Sequence, residues 1–301
     1  MPRPLPTGPD GALHLGGRSF PPGRTVVMAV LNRTPDSFFA GARQLDDDVA
    51  FAAVDEAVDA GADVLDVGGV RAGPGADVST QQEVDRVVGF VAAVRQRHPG
   101  VVVSVDTWRA EVAEHACAAG AALVNDTWAG HDPDLVHVAA RHGAGYVVSH
   151  TGGAVPRTRP FRVTYGTTAE GVVDDVLATL RAGAARAVAA GVDRRSVLVD
   201  PTHDFGKNTW HSLALLRRTD AVVALGHPVL MALSRKDFVG ETLGLPPDER
   251  LEGTLAATSV AAWLGATVFR CHDARATRRA LDVVEAVRGD LRPPRALRGL
   301  A

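Results

Sequence analysis

Ser196-Val-Leu-Val-Asp200-Pro-Thr-His-Asp-Phe-Gly206-Lys207 is a short apolar run that ends on a carboxylate and turns at once into a backbone-bending loop. Pro201 fixes φ directly after Asp200, so the carboxylate is held where a buried strand emerges at the mouth of an α/β fold. Taken alone, the stretch fits equally well a polar strand end that caps the next helix. The rest of the chain decides, because the pattern recurs.

Upstream, Thr25-Val-Val-Met-Ala-Val-Leu31 ends on Asn32, and Asp63-Val-Leu-Asp-Val67 leads into the loop Gly68-Gly-Val-Arg-Ala-Gly-Pro-Gly75. Val101-Val-Val-Ser-Val105 ends on Asp106, Ala121-Ala-Leu-Val124 on Asn125, and Gly145-Tyr-Val-Val-Ser149 on His150. Downstream, Val229-Leu-Met-Ala-Leu233 ends on Ser234-Arg-Lys236, and Thr267-Val-Phe269 on Arg270-Cys-His272. Between them the sequence predicts helices over 46–60, 79–96, 109–119, 133–143, 168–190, 210–218 and 251–264, with a last one reaching 287. Ser79, with Gln82 three residues on, marks a capping-box start. Strands this uniformly apolar belong to a parallel sheet buried on both faces. Eight strand-then-helix units with right-handed crossovers predict a (β/α)8 TIM barrel, a single α/β domain over 25–290. Residues 1–24 then form an N-terminal extension and 291–301 a C-terminal tail. The alternative is an open doubly wound sheet, whose dinucleotide-binding form is disfavoured because no G-x-G-x-x-G follows the first strand.

The bulk numbers agree. A chain of 301 residues with 46% hydrophobic residues can bury one large core. A formal charge of -3 offers no footprint for nucleic acid or an anionic membrane. The cysteines, Cys117 and Cys271, lie far apart, which argues against a disulfide framework and fits a reducing cytoplasm. No apolar run is long enough to span a bilayer, and the Pro/Gly-rich start does not read as a secretory leader.

In a barrel, Asn32, Asp106, Asn125, His150, Asp200, Lys236, Arg270 and His272 all converge on one rim, the face where such folds place their chemistry. Any one of them fits a cap, but their shared position favours a site. Asp106, Asn125, Asp200 and Lys236 suit the edge of a flat heterocycle carrying ring N–H, amine and carbonyl groups. Arg270 and His272 suit phosphate or pyrophosphate, and Asn32 with Asp36 suits a hard cation.

At this point the motifs resemble dihydropteroate synthase, over residues 25–290 or so. Leu31-Asn-Arg-Thr-Pro-Asp-Ser-Phe38 is similar to that family's first-loop signature, and Ser104-Val-Asp-Thr107, Val124-Asn-Asp126, His150, Asp200-Pro201, Phe205-Gly-Lys207, Ser234-Arg-Lys236 and Arg270-Cys-His-Asp273 follow in family order. The resemblance implies a barrel that binds hydroxymethyl-dihydropterin pyrophosphate. The amine of p-aminobenzoate attacks the pterin methylene while pyrophosphate leaves, assisted by Mg²⁺. By position, Asp106, Asn125, Asp200 and Lys236 would grip the pterin. Asn32, Ser234, Arg270 and His272 would hold pyrophosphate, with Asn32 at the metal. Arg270, His272 and Lys236 would serve catalysis. A cytoplasmic homodimer of the folate pathway and affinity for sulfonamide- or sulfone-like ligands are implied as well.

Departures concentrate where the second substrate and the leaving group are handled. Where the family reads Gly-Gly-Glu-Ser-Thr-Arg-Pro-Gly, its Thr and Arg positions are Ala72 and Gly73, with Arg71 as a candidate substitute. The acidic residue of the first loop is Ala40. Thr151 follows His150 where Met is common, and Thr202 and Asp204 replace two glycines of the sixth-strand loop. Loss of a guanidinium at a developing anion removes roughly 10²–10³ in rate. The expectation is therefore a divergent paralogue with weak or lost synthase activity. An active synthase is the second reading, a non-synthase pterin binder or degenerate barrel a blander one, and a pterin-dependent methyltransferase a distant one.

Overall fold

The structure is a computed structural model and describes residues 12–33, 43–158, 164–166, 170–295 and 297–298, for 43–46 the backbone only. The first-loop positions Asp36 and Ala40 lie outside the described residues.

Eight parallel strands form one sheet: β3 (Val26–Asn32), β4 (Val64–Gly68), β5 (Val102–Asp106), β6 (Leu123–Asn125), β7 (Gly145–Ser149), β8 (Val197–Asp200), β9 (Leu230–Met231) and β10 (Val268–Cys271). Their order, β8-β7-β6-β5-β4-β3-β10-β9, is that of a barrel opened along one seam. A parallel bridge from Val199 to Val229 joins that seam, so the sheet is a nearly closed TIM barrel. The expected strand over 229–233 is correspondingly short, because Val229 is used for the bridge and donates its N–H to Thr267 Oγ1.

Around the barrel run α1 (Arg43–Asp59), α2 (Thr80–Arg97), α3 (Ala110–Ala118), α4 (Leu135–Arg141), α5 (Gly171–Ala189), α6 (Thr209–Arg217), α7 (Thr219–Val223), α8 (Asp237–Leu243), α9 (Leu251–Trp263) and α10 (Ala274–Arg288). The Ser79–Gln82 capping box opens α2 as predicted. The sequence reading did not foresee α7 and α8, which span too few turns to establish a 3.6-residue period.

Side-chain alternation divides the strands cleanly. Val27, Leu65, Val103, Val124, Val148, Val199 and Phe269 point outward into the main core against the helices. Met28, Val64, Val102, Leu123, Val147, Leu198, Leu230 and Val268 point inward and fill the lower half of the barrel. That inner cluster is completed by a hairpin, β1 (Leu13–Leu15) and β2 (Arg18–Phe20), whose Leu13, Leu15 and Phe20 seal the bottom. The turn is Gly16-Gly17 with φ of 55° and 78°, as a two-residue turn between tightly paired strands requires. No element was expected there. Gly145 admits the plug, since a Cβ there would lie 2.6 Å from Leu15 Cδ2 and 2.8 Å from Ser196 O.

Leu15→Ala should therefore cost about 2–5 kcal/mol in equilibrium urea unfolding, the range for emptying a buried leucine site. A cost below about 1 kcal/mol would show that the hairpin covers the barrel without packing it.

Candidate functional site

Further along β4, β5, β6, β8 and β10, the same inward positions turn polar. Asp66, Ser104, Asp106, Asn125, Asp200 and Arg270, from β4, β5, β6, β8 and β10, form the upper layer. Arg270 is its hub: Nε donates to Asp66 Oδ2 and Nη2 to Asp106 Oδ2, both at 2.6 Å. Asp66, fully buried, also accepts from Ser104 Oγ at 2.6 Å and Asn125 Nδ2 at 3.0 Å. Thr127 Oγ1 donates to Asp106 at 3.2 Å. Asn125 Oδ1 is buried and has no hydrogen-bond partner among the described residues.

Burial pushes Asp106 up to about 7 against the pull of Arg270, and Asp200 up to about 6 against the Thr202 N–H, Lys236 and Lys207. Burial works against the Arg270 charge, yet Asp66 and Asp106 hold it above its ordinary range.

The β8–α6 loop forms one side of the mouth. Thr202 and Asp204 adopt φ of 52° and 67°, the left-handed conformation that glycine would reach without strain. Thr202 is tied down at each polar atom. Its N–H donates to Asp200 Oδ1 at 2.7 Å, its hydroxyl donates to Asp200 O and accepts from His150 N–H, and its carbonyl accepts from Lys207. Lys207 is buried and donates from Nζ to the carbonyls of His150, Thr202 and Phe205 at 2.9, 3.0 and 2.7 Å. Burial draws it down to about 7. Asp204 accepts the Asp237 N–H at 2.6 Å and so caps α8 from another loop. His203 lies fully buried with neither ring nitrogen partnered among the described residues. Its ring lies 5.6 Å from that of Phe238, and burial lowers it to about 3.

Opposite, Ser234-Arg235-Lys236 splits its side chains. Arg235, at φ 57°, pairs with Asp273 at 3.1 Å. Ser234 Oγ lies 3.0 Å from His272 Nδ1. The Lys236 ammonium sits 4.5 Å from the Phe205 ring centre, and Phe205 meets Trp128 edge-on at 5.1 Å. Burial lowers Lys236, while Asp204 and then Asp200 oppose the shift. The protein around His272, with Arg270 and Arg235, draws its imidazole down to about 4 although solvent reaches the ring. Asn32 ends β3 across from Gly68, which itself pairs with Asp106.

The structure thus gathers Asp106, Asn125, Asp200 and Arg270 in one layer, with Lys236 facing it and Ser234, His272 and Asn32 on the rim. His150 is turned away: Nε2 lies 2.7 Å from Asp175 Oδ1, and its backbone serves the β8 loop. Asp66, Lys207 and His203 were not singled out from the sequence. For Asp66 a signal existed, an acid at inward parity within the apolar run Asp63-Val-Leu-Asp66-Val67. Among the described residues no group of three His, Cys, Asp or Glu side chains is placed to hold a metal ion, and Asn32 offers one amide oxygen.

Such a mouth is a TIM-barrel rim lined with buried carboxylates, an amide and cations. The family of pterin binding enzymes matches residues 28–272. "Inactive dihydropteroate synthase 2" of Mycobacterium leprae is 58% identical over 95% of this chain and 99% of its own. Dihydropteroate synthase of Bacillus subtilis is 38% identical over 88% of this chain and 89% of its own. The solved Yersinia pestis dihydropteroate synthase with a sulfonamide drug superposes with a TM-score of 0.84 at 35% identity, covering 92% of this chain and 99% of that one. The chain belongs to the dihydropteroate synthase family, as a divergent paralogue.

If Asp200 and Asp106 accept ring N–H groups, protonating them removes the acceptors. Their positions near 6 and 7 place that loss between neutral and mildly acidic pH. Calorimetric affinity for a pterin should fall about tenfold or more from pH 7.5 to pH 5.5. A flat profile would show that neither carboxylate accepts from the ring.

Proposed function

We propose that this protein binds a pterin in the barrel mouth and has weak or no dihydropteroate synthase turnover. The observation that supports binding best is Asn125 Oδ1, buried and without a hydrogen-bond partner among the described residues, on a side chain bonded to Asp66 and paired across the sheet with Asp106. An unsatisfied buried acceptor costs about 1–3 kcal/mol, and a ring N–H or amine would relieve that cost. In this reading Asp106, Asn125, Asp200 and Lys236 hold the ring, Arg270 packs against it from its carboxylate clamp, and Asn32, Ser234 and His272 face the pyrophosphate. Mg²⁺ would enter with that pyrophosphate, since the chain supplies few oxygen ligands there.

Weak turnover follows from the β4–α2 loop. Ala72 and Gly73 bring no charge, and Arg71 is exposed without a hydrogen-bond or ion-pair partner among the described residues. The mycobacterial relative's description as inactive supports the same reading. The proposal includes a cytoplasmic homodimer, for which exposed Val260 and Trp263 on α9 and Val283 and Val287 on α10 offer an apolar face. It also includes p-aminobenzoate- and sulfonamide-like molecules as candidate second ligands.

With Mg²⁺, hydroxymethyl-dihydropterin pyrophosphate and p-aminobenzoate, pyrophosphate release should stay below about 10⁻² s⁻¹, against roughly 1–10³ s⁻¹ for ordinary enzymes. Asn125→Ala should weaken pterin binding about tenfold. A Cβ at Gly73 would meet nothing within 4 Å, so the backbone admits a side chain there, and Ala72→Thr with Gly73→Arg should raise release at least ~10-fold. Native turnover near 1 s⁻¹ would overturn the proposal and favour Arg71 as a working substitute.

A further inference from the structure

The cations of the mouth are almost all engaged. Arg270 is clamped by Asp66 and Asp106, and Lys207 donates to three carbonyls. Arg235 pairs with Asp273, Arg109 with Glu83, and Arg86 donates to Gly69 O. Lys236 stands over Phe205 under the influence of Asp204 and Asp200.

Arg157 is different. It belongs to the loop after β7, yet its Nη2 lies 3.0 Å from where a Cβ on Gly75 would stand. Gly75 belongs to the loop after β4, and β5 and β6 separate the two strands in the sheet. The side chain therefore spans the rim to reach the loop that lacks its own guanidinium at Gly73. Gly75 leaves room for that close approach. Arg157 is half-buried and has no hydrogen-bond or ion-pair partner among the described residues. Its loop is held in shape from within, by Ala154 N–H to Thr151 O, Thr151 Oγ1 to Ala154 O, and Thr158 Oγ1 to Val155 O at 2.7 Å. A half-buried guanidinium presents planar N–H donors matched to a carboxylate or phosphate, and leaving them unmatched is unfavourable.

We propose that Arg157 is a specificity-determining residue that binds an oxyanion carried by the pterin ligand, from across the mouth. This rests on the pterin-binding reading above. The oxyanion has two chemical sources, the pyrophosphate of a hydroxymethyl-dihydropterin ester or the carboxylate of a pteroate-like conjugate, and both are recognised by the same fork of donors.

The test is calorimetric titration of the native protein and of Arg157→Gln and Arg157→Lys with hydroxymethyl-dihydropterin, its pyrophosphate, and pteroate. The affinity ratio of the anionic ligand to the neutral pterin should fall about tenfold in Arg157→Gln and recover in part in Arg157→Lys. The ligand whose ratio falls identifies the oxyanion. The ratio in the native protein should also decline as salt is raised, and less so in Arg157→Gln. If Arg157 merely packs the loop, the glutamine variant weakens all ligands alike and both ratios stay fixed, which overturns the inference and leaves pterin binding standing. Binding of none of the three by the native protein overturns both.

Discussion

The upper half of the barrel depends on one buried ionic arrangement, Arg270 between Asp66 and Asp106. Removing such charges from water is costly, and their attraction offsets the cost only when the remaining lone pairs are also satisfied. Here they are: Ser104 and Asn125 complete Asp66, and Thr127 completes Asp106. The strands β4, β5, β6 and β10 are thus joined through side chains as well as through the sheet ladder. Loss of one partner would strand the others, at about 3–5 kcal/mol for a buried pair. The same clamp fixes the plane of the guanidinium at the barrel mouth.

That arrangement is possible because the lower half is dry. The hairpin residues Leu13, Leu15 and Phe20 close the barrel from below, and the inward aliphatic layer separates solvent at that end from the carboxylates. Charges in such surroundings act strongly on one another. This explains why burial leads each of the Asp106, Asp200 and Lys207 shifts and why all of them move toward the neutral form. One end of the barrel supplies stability and the other spends part of it on poised polar groups.

Most of this was legible in the sequence wherever a signal is local. Apolar runs ending on Asp106, Asn125, Asp200 and Arg270 fixed both the strands and the rim, because period-2 alternation and a terminal polar residue lie in one short stretch. Helix α8 was not legible, since its cap is Asp204, reaching from a distant loop rather than from the preceding residues. The hairpin was missed although Gly16-Gly17 between short alternating runs is a turn signal; the surrounding Pro and Gly obscured it. Asp66 was missed because a single acid inside an apolar strand looks like noise until the parity of the whole barrel is known. The partners of Arg270, and the approach of Arg157 to the loop after β4, are set by closure of the sheet, which no local window contains.

The β8–α6 loop bears on what the divergence means. Glycines at 202 and 204 would supply the left-handed backbone freely, whereas a threonine and an aspartate each oppose it by roughly 1–2 kcal/mol. The conformation is nevertheless kept. Thr202 offsets its strain through its hydroxyl, which donates to Asp200 O and accepts from His150 N–H, each bond contributing on the order of 1 kcal/mol. Asp204 does so by capping α8 and bonding Ser212. Stability alone gives no reason to place a β-branched side chain at φ 52°, since many easier loops would cover a strand end. The consequence at the mouth comes from Asp204, which sets a negative charge near Lys236; the Thr202 N–H that holds the Asp200 carboxylate is a backbone donor that a glycine would also supply. The Asp204 change therefore alters the electrostatics beside Lys236 while the Arg270 clamp and the Asp200 carboxylate of the mouth stay in place.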